Sequence, residues 1–480
     1  MMEEPAARTN ELPEDVLAEI LRRLPPRSLA VSRCVCAAWR SAIDTRRMLR
    51  TDLLPLSLAG IFIDFLDLRF PELFSRNSRS SPTPINGKLD FLPHDEGMYF
   101  IMDHCNGLLL LPGLMVANPA TRRWARLPPL PSHFAGQKGV KGFYDQEVFL
   151  VFDPTISHHY QVFMIPSVNI GRYSTDRMNM ASEWPSSRLL VRVFSSMTGE
   201  WEERPLVRQG DAAGTVTDVA ERMSRLASAC IDGNVFWRGA LYINSHCVIR
   251  ISMSDRKYQV IKHPMIYNSK QQPDIYIGKS EKGVYLASLL GTECCLSVWI
   301  LHESGGHFEW ILKHQNNLKP LLRCLNQRKQ VHGPWISQDV NYHLYSQKFP
   351  GEWEIYDSNY DPSHFQSPND IDKTPVENNF EWDSDDDSVV GTQGDIEEGN
   401  VGGHIQFLGF HPFKEVVFFS SLYGWKGLAY HLNSSKLQYL GNLQPKHYEY
   451  FSKHEDICRS STYTPCWMEQ FPGISYYSTR

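Results

Sequence analysis

The nearest approach to a phosphate-binding loop in this sequence is Gly278-Lys279-Ser280. Such a loop also requires a glycine five residues before its second one, so that backbone N–H groups can cradle the phosphates. Pro273 stands there instead, and the cradle fails. His158-His159, His246-Cys247 and the pair His302 and His307 could ligate a metal only if the fold gathered them, because none has the spacing of a local site. Asp383, Asp385 and Asp387 alternate as in a calcium loop. Ser388, however, occupies the position that needs glycine, and Gly394 replaces the closing glutamate. Ser384, ahead of three aspartates, suits an acid-directed kinase. The sequence contains no Gly-x-Ser-x-Gly elbow, His-Glu-x-x-His, Cys-x-x-Cys or dinucleotide fingerprint. The expectation is therefore a protein with no catalytic residues, no metal and no cofactor.

The elements that position side chains divide in two along the chain. With 480 residues, one small and one large domain are the natural expectation. Aromatic residues at 12%, with 31 Gly and 30 Pro, favour short strands joined by turns. The net charge of −6 gives no reason to expect a nucleic-acid partner. Acidic Glu3 and Glu4 stand where a secretory leader needs basic residues, and the apolar runs Leu53 to Phe65 and Leu108 to Ala117 are too short for a bilayer. Ten cysteines without a regular framework suit reduced thiols. Together these lead us to expect an intracellular protein, cytoplasmic or nuclear, with no membrane partner.

The spacing predicts an amphipathic helix over Glu11 to Leu24. Pro13 and the acidic Glu14 and Asp15 start it, Pro25-Pro26 ends it, and Val16, Leu17, Ile20, Leu21 and Leu24 form an apolar stripe. A second helical stretch, Ser28 to Ile43, carries Val31, Val35, Trp39, Ala42 and Ile43, with a break near Arg33-Cys34. So few short helices cannot bury this much apolar surface alone, so it must be shared with a partner or with the rest of the chain.

The string Leu12-Pro13-Glu14-Asp15-Val16-Leu17, then Ile20 to Pro25, Ser28-Leu29, and Cys34-Val35-Cys36-Ala37-Ala38-Trp39-Arg40 resembles the F-box over residues 11–50. The resemblance implies a three-helix module that docks on a Skp-family adaptor and, through it, a cullin scaffold. It also implies that Leu12, Pro13, Ile20, Leu21, Leu24, Val35 and Trp39 supply adaptor contacts or the core beneath them. Ala38 departs from the polar residue often found before the tryptophan.

Beyond a connector at 51–96, the pattern becomes strand, polar turn, returning aromatic. It occurs at Val116 to Trp124, Val191 to Trp201, Val248 to Tyr258, Leu296 to Trp310 and Leu428 to Tyr439. Val148 to Phe152, Val235 to Tyr242, Val284 to Ala287 and Val416 to Phe419 are further strand candidates. A repeated hairpin grammar suggests a β-propeller, with a β-sandwich as the alternative, and the irregular spacing fixes no blade number. Cys105 to Leu110, Asn118-Pro119-Ala120-Thr121-Arg122 and Leu127-Pro128 resemble the F-box-associated, kelch-like region of plant F-box proteins. That resemblance implies a target-binding domain without naming the target or its contact residues. The expected fold is thus α+β multidomain: an F-box at 11–50, then a mainly antiparallel β domain at 97–445. The acidic stretch at about 374–400 reads as a disordered insertion, and 446–480 as a tail. The expected function is substrate recognition for a Skp-cullin-F-box ubiquitin ligase. A propeller hydrolase or glycosidase, and a scaffold unconnected with ubiquitin transfer, are the alternatives.

Overall fold

Alternating and fully apolar strands punctuated by Gly, Asn and Asp turns leave little choice but antiparallel meanders, because each returning strand satisfies its neighbour's backbone groups. A computed structural model describes residues 14–22, 32, 35–46, 48, 58–76, 85, 87–93, 99–131, 144–168, 181–219, 231–264, 273–280, 282–327, 333–348, 389–390, 404–421, 425–452 and 456–467. In it the chain after the first fifty residues is mostly β structure.

Five four-stranded meanders and one four-stranded sheet whose strands are not all consecutive account for most of these strands. Sheet B comprises Asp103–Cys105, Leu108–Leu111, Met115–Asn118 and Arg123–Arg126. Sheet C comprises Tyr144–Phe152, Tyr160–Val168, Arg188–Ser195 and Glu200–Gln209, and sheet D Asn234–Trp237, Ala240–Asn244, Val248–Ser252 and Lys257–Ile261. A parallel pairing of Val207 to Gln209 with Lys257 to Gln259 joins C and D into one eight-stranded sheet. Sheet E runs through Asp274–Ser280, Gly283–Leu290, Cys295–Ser304 and His307–Asn317, and sheet F through Ile405–Phe410, Val416–Ser421, Lys426–His431 and Lys436–Asn442.

Sheet A is assembled from distant parts of the chain. Gly60–Phe65 lies between Glu72–Arg76 and Ile457–Tyr463, and Trp335–Ser337 adds the outer edge. This corrects two expected boundaries: strands occur within the 51–96 connector and within the 446–480 tail. Ile61, Phe62, Leu73, Phe74 and Tyr463 are almost completely buried, so both segments belong to the β core. One strand of each sheet touches a counterpart in the next sheet, in the order 457–463, 103–105, 144–152, 234–237, 274–280, 405–410 and back to 457–463. The contacts therefore close a circuit, and apolar clusters fill the spaces between successive sheets.

Each of the five expected hairpins lies in a different sheet, at its last two strands. Val235 to Tyr242, expected as one strand, is instead a hairpin whose Arg238-Gly239 turn has positive φ at both residues. Helices were not expected beyond the first fifty residues, yet Lys319–Gln327 and Val340–Lys348 are helical. The first of these buries Leu321, Leu322 and Leu325, a three- and four-residue spacing. Most of the acidic stretch lies outside the described residues, but Val389–Val390 pairs with Leu437 and Gln438 at the edge of sheet F.

Candidate functional site

The N-terminal helices are Glu14–Arg22 and Ala37–Thr45, and a turn closed by the Val35 N–H donating to Ser32 O precedes the second. Their apolar stripe divides. Leu17 and Leu21, one turn apart, pack with Ala18, Ala42, Ile43 and Met48, and Leu21 has no exposed surface. Val16 and Ile20, also one turn apart but on the adjoining sector, remain 46% and 44% exposed. Val35 is 62% exposed, and Trp39 lies half-buried against the small core. Asp15 and Arg46 form an ion pair of 2.7 Å between the two helical segments, but Asp15 is too exposed for the pair to contribute much.

The structure places the expected site residues in different surroundings. Leu21 is buried in the small core, Ile20 and Val35 are exposed, and Trp39 is half-buried against that core. Leu12, Pro13 and Leu24 lie outside the described residues. Val16 was read only as part of the stripe. Its four-residue separation from Ile20 was the signal that the two side chains share a face.

A second concave feature lies where the touching strands converge. A cavity of about 180 Å³ is lined from sheets A, B, D, E and F, including Asp103, Asn106, Asn234, Lys279 and Arg459. Asp103 ties three elements together: one carboxylate oxygen accepts Leu150 N–H at 2.6 Å, and the other accepts Asn234 Nδ2 and its neighbour His104 N–H, each at 2.7 Å. Asn106 donates to Phe152 O at 2.7 Å and accepts from Lys279 Nζ at 2.6 Å. Burial holds the Lys279 amine below the usual lysine range and pushes His104 down to about 4, so the imidazole is neutral. It also pushes the Cys105 thiol up to about 12, which makes that sulfur a poor nucleophile.

The expected ligand candidates do not assemble. Among the described residues no group of three or more His, Cys, Asp or Glu could hold a metal ion. His158 stacks on His159, while His246 lies beside Cys247 Sγ in a buried turn. Lys279-Ser280 ends a strand rather than opening a helix, and Ser280 Oγ donates to carbonyls of His411 and Lys414. Asn118, in contrast, does organise the turn that its motif implied. Its Oδ1 accepts Ala120 N–H at 3.0 Å, and its Nδ2 donates to Cys466 O at 2.9 Å.

Comparison with known proteins bears on the helical pair directly. Residues 10–51 match the F-box domain family, and the pair of helices with its split apolar face falls inside that range. Similar proteins come from Arabidopsis thaliana. "Putative F-box protein At3g16210" is 29% identical over 40% of this chain and 46% of its own length. "Putative F-box/kelch-repeat protein At1g15680" is 25% identical over 41% of this chain and 47% of its own. "Putative F-box protein At4g09190" is 23% identical over 64% of this chain and 72% of its own. The chain spans about half the length of the first two relatives. The chain thus carries an F-box domain and is similar to plant F-box proteins.

Proposed function

We propose that this protein is a substrate-recognition adaptor of a Skp-cullin-F-box ubiquitin ligase, without covalent chemistry or cofactor of its own. The observation that carries the reading is the unburied apolar sector Val16 and Ile20, with Val35, inside the F-box match. Apolar side chains left in water at such density suit a partner's groove. F-box domains in general bind Skp-type adaptors, which supply that groove and connect to a cullin. In this reading Val16, Ile20 and Val35 make contacts together with Leu12, Pro13 and Leu24, while Leu21 and Trp39 hold the helices in place.

We read the six four-stranded units A to F as the blades of a six-bladed β-propeller. Supporting this are the closed circuit of touching strands and the pairing of Gly60–Phe65 with Ile457–Tyr463, which would join the two ends of the ring. The domain would hold a target protein near activated ubiquitin, so that catalysis comes from raised effective concentration. The hydrolase alternative is disfavoured by the cavity. It is smaller than the several hundred Å³ usual for ligand sites, and its lining contains one carboxylate, Asp103, both of whose oxygens accept hydrogen bonds.

The test is co-purification of the full chain with a Skp-type adaptor, wild type against Ile20→Asp with Val35→Asp. Retention by the wild type and loss by a variant with an unchanged circular-dichroism spectrum is the expected result. Equal recovery of both would overturn the docking assignment, and no recovery of either would overturn the adaptor reading.

A further inference from the structure

The cavity holds a lysine whose ammonium makes no hydrogen bond to a carboxylate among the described residues, although the Asp153 charge acts on it from a distance. Lys279 Nζ donates to the neutral oxygen of Asn106, and this is its one hydrogen bond among the described residues. Asp103, the acid in the same lining, is already engaged by Leu150, Asn234 and His104. Arg459, the other cation of the lining, directs its Nη1 toward the carbonyls of Ile101 and Met102 and forms no ion pair among the described residues. The cavity therefore has two cations and one committed anion. Its remaining walls include the apolar Met102, Phe236, Leu408 and Phe410.

We propose that this cavity binds a small organic carboxylate, its anionic end on Lys279 Nζ and its apolar body against the aromatic wall. An anion at this point satisfies ammonium protons that no acceptor among the described residues takes and offsets the cost of burying the charge. Inorganic phosphate fits less well. It has no apolar body to set against Phe236 and Phe410, and of the nearby donors Asn106 Nδ2 and Arg459 Nη1 already point at backbone carbonyls. A cavity of about 180 Å³ admits a short fatty or aromatic acid but not a nucleotide.

Binding must be linked to protons. Burial lowers the affinity of Lys279 for its proton against the opposing pull of Asp153, while the Cys105 thiol and the His104 imidazole beside it are uncharged. Asp103 and Arg459 share the lining. A bound carboxylate favours the ammonium form, so complex formation takes up protons, and affinity falls as pH rises through the lysine's depressed range.

The experiment is titration calorimetry of the full chain with hexanoate, with inorganic phosphate and a capped Gly-Glu-Gly tripeptide as comparison arms. It is run as a pH series from about 6 to 10, at each pH in two buffers of different ionisation enthalpy. We expect hexanoate to bind, with an apparent enthalpy that differs between the buffers in the sense of proton uptake, and Lys279→Met to weaken it tenfold or more. Hexanoate binding that Lys279→Met leaves unchanged would overturn the proposal. So would an absence of buffer dependence in the wild type at every pH of the series, a result that does not require the variant to fold. Phosphate binding as tightly as hexanoate would make this a general anion site, and binding of the tripeptide alone would make it a pocket for a protein's acidic side chain; either result rejects the free organic acid.

Discussion

Ile20 and Leu21 are adjacent isoleucine and leucine on one helix, yet their truncation should fail in opposite ways. Ile20 is 44% exposed, which for isoleucine corresponds to roughly 80 Å² of surface still available to a partner. At about 25 cal/mol per Å² its removal costs on the order of 2 kcal/mol of docking energy, about a 30-fold rise in Kd. Leu21 is fully buried among Leu17, Ala18, Ala42, Ile43 and Met48, where truncation forfeits transfer energy and leaves a void, about 2–5 kcal/mol of module stability. Ile20→Ala should therefore weaken adaptor binding in surface plasmon resonance without changing hydrogen-exchange protection in the two helices. Leu21→Ala should accelerate exchange in both helices before it changes the affinity of the folded fraction. If Ile20→Ala accelerated exchange as much as Leu21→Ala, or if neither changed affinity, the assignment of one residue to the partner and the other to the core would be wrong.

Three further outcomes concern the β domain. Glu72 is buried and accepts Val340 N–H at 2.7 Å, Asn341 N–H at 2.9 Å and Asn341 Nδ2 at 2.7 Å, capping the helix Val340–Lys348. Glu72→Ala leaves three donors without that acceptor and should cost about 2–4 kcal/mol in urea denaturation. Asp64 is raised to about 7 by burial, against the opposing pull of Ile101 N–H and Arg459. The native state then holds a proton that the unfolded chain has released above about pH 4, so this stabilisation is present at low pH and is lost as pH rises through 7. Its full extent is on the order of 4 kcal/mol, and Asp64→Asn should flatten that part of the stability profile measured between pH 5 and 8. Gly107 has φ +92°, and an added Cβ would lie 2.5 Å from Cys466 Cβ and 2.6 Å from its backbone nitrogen. Gly107→Ala should lower the melting temperature of the β domain by several degrees, about 2 kcal/mol of strain and displacement.

What could be read from the residues was local. The five hairpins were legible because strand, polar turn and returning aromatic lie within about a dozen residues of one another. Sheet A was not, since the partners of Gly60–Phe65 include Ile457–Tyr463, and no periodicity in either segment encodes so distant a register. The helix Lys319–Gln327 was legible in the spacing of Leu318, Leu321, Leu322 and Leu325 but lay in a region read by strand rules alone. At the N-terminus the stripe gave the direction of each apolar side chain relative to its helix. It could not say which sector the second helix would cover, so Leu21 and Ile20 looked equivalent. The ligand pairs failed for a similar reason: proximity in sequence placed His158 against His159 and His246 against Cys247 without bringing a third metal-ligating group to either among the described residues.

The pairing of Gly60–Phe65 with Ile457–Tyr463 also sets a timetable for biosynthesis. Chain growth is vectorial, so the strand made first in this domain must wait for a partner made hundreds of residues later. During that interval one edge of Gly60–Phe65, six residues buried in the finished fold, has no native strand beside it. The nascent chain thus carries a sticky edge for most of its translation. Its yield in a cell should depend on chaperone supply and elongation rate more than the equilibrium stability of the finished domain would suggest.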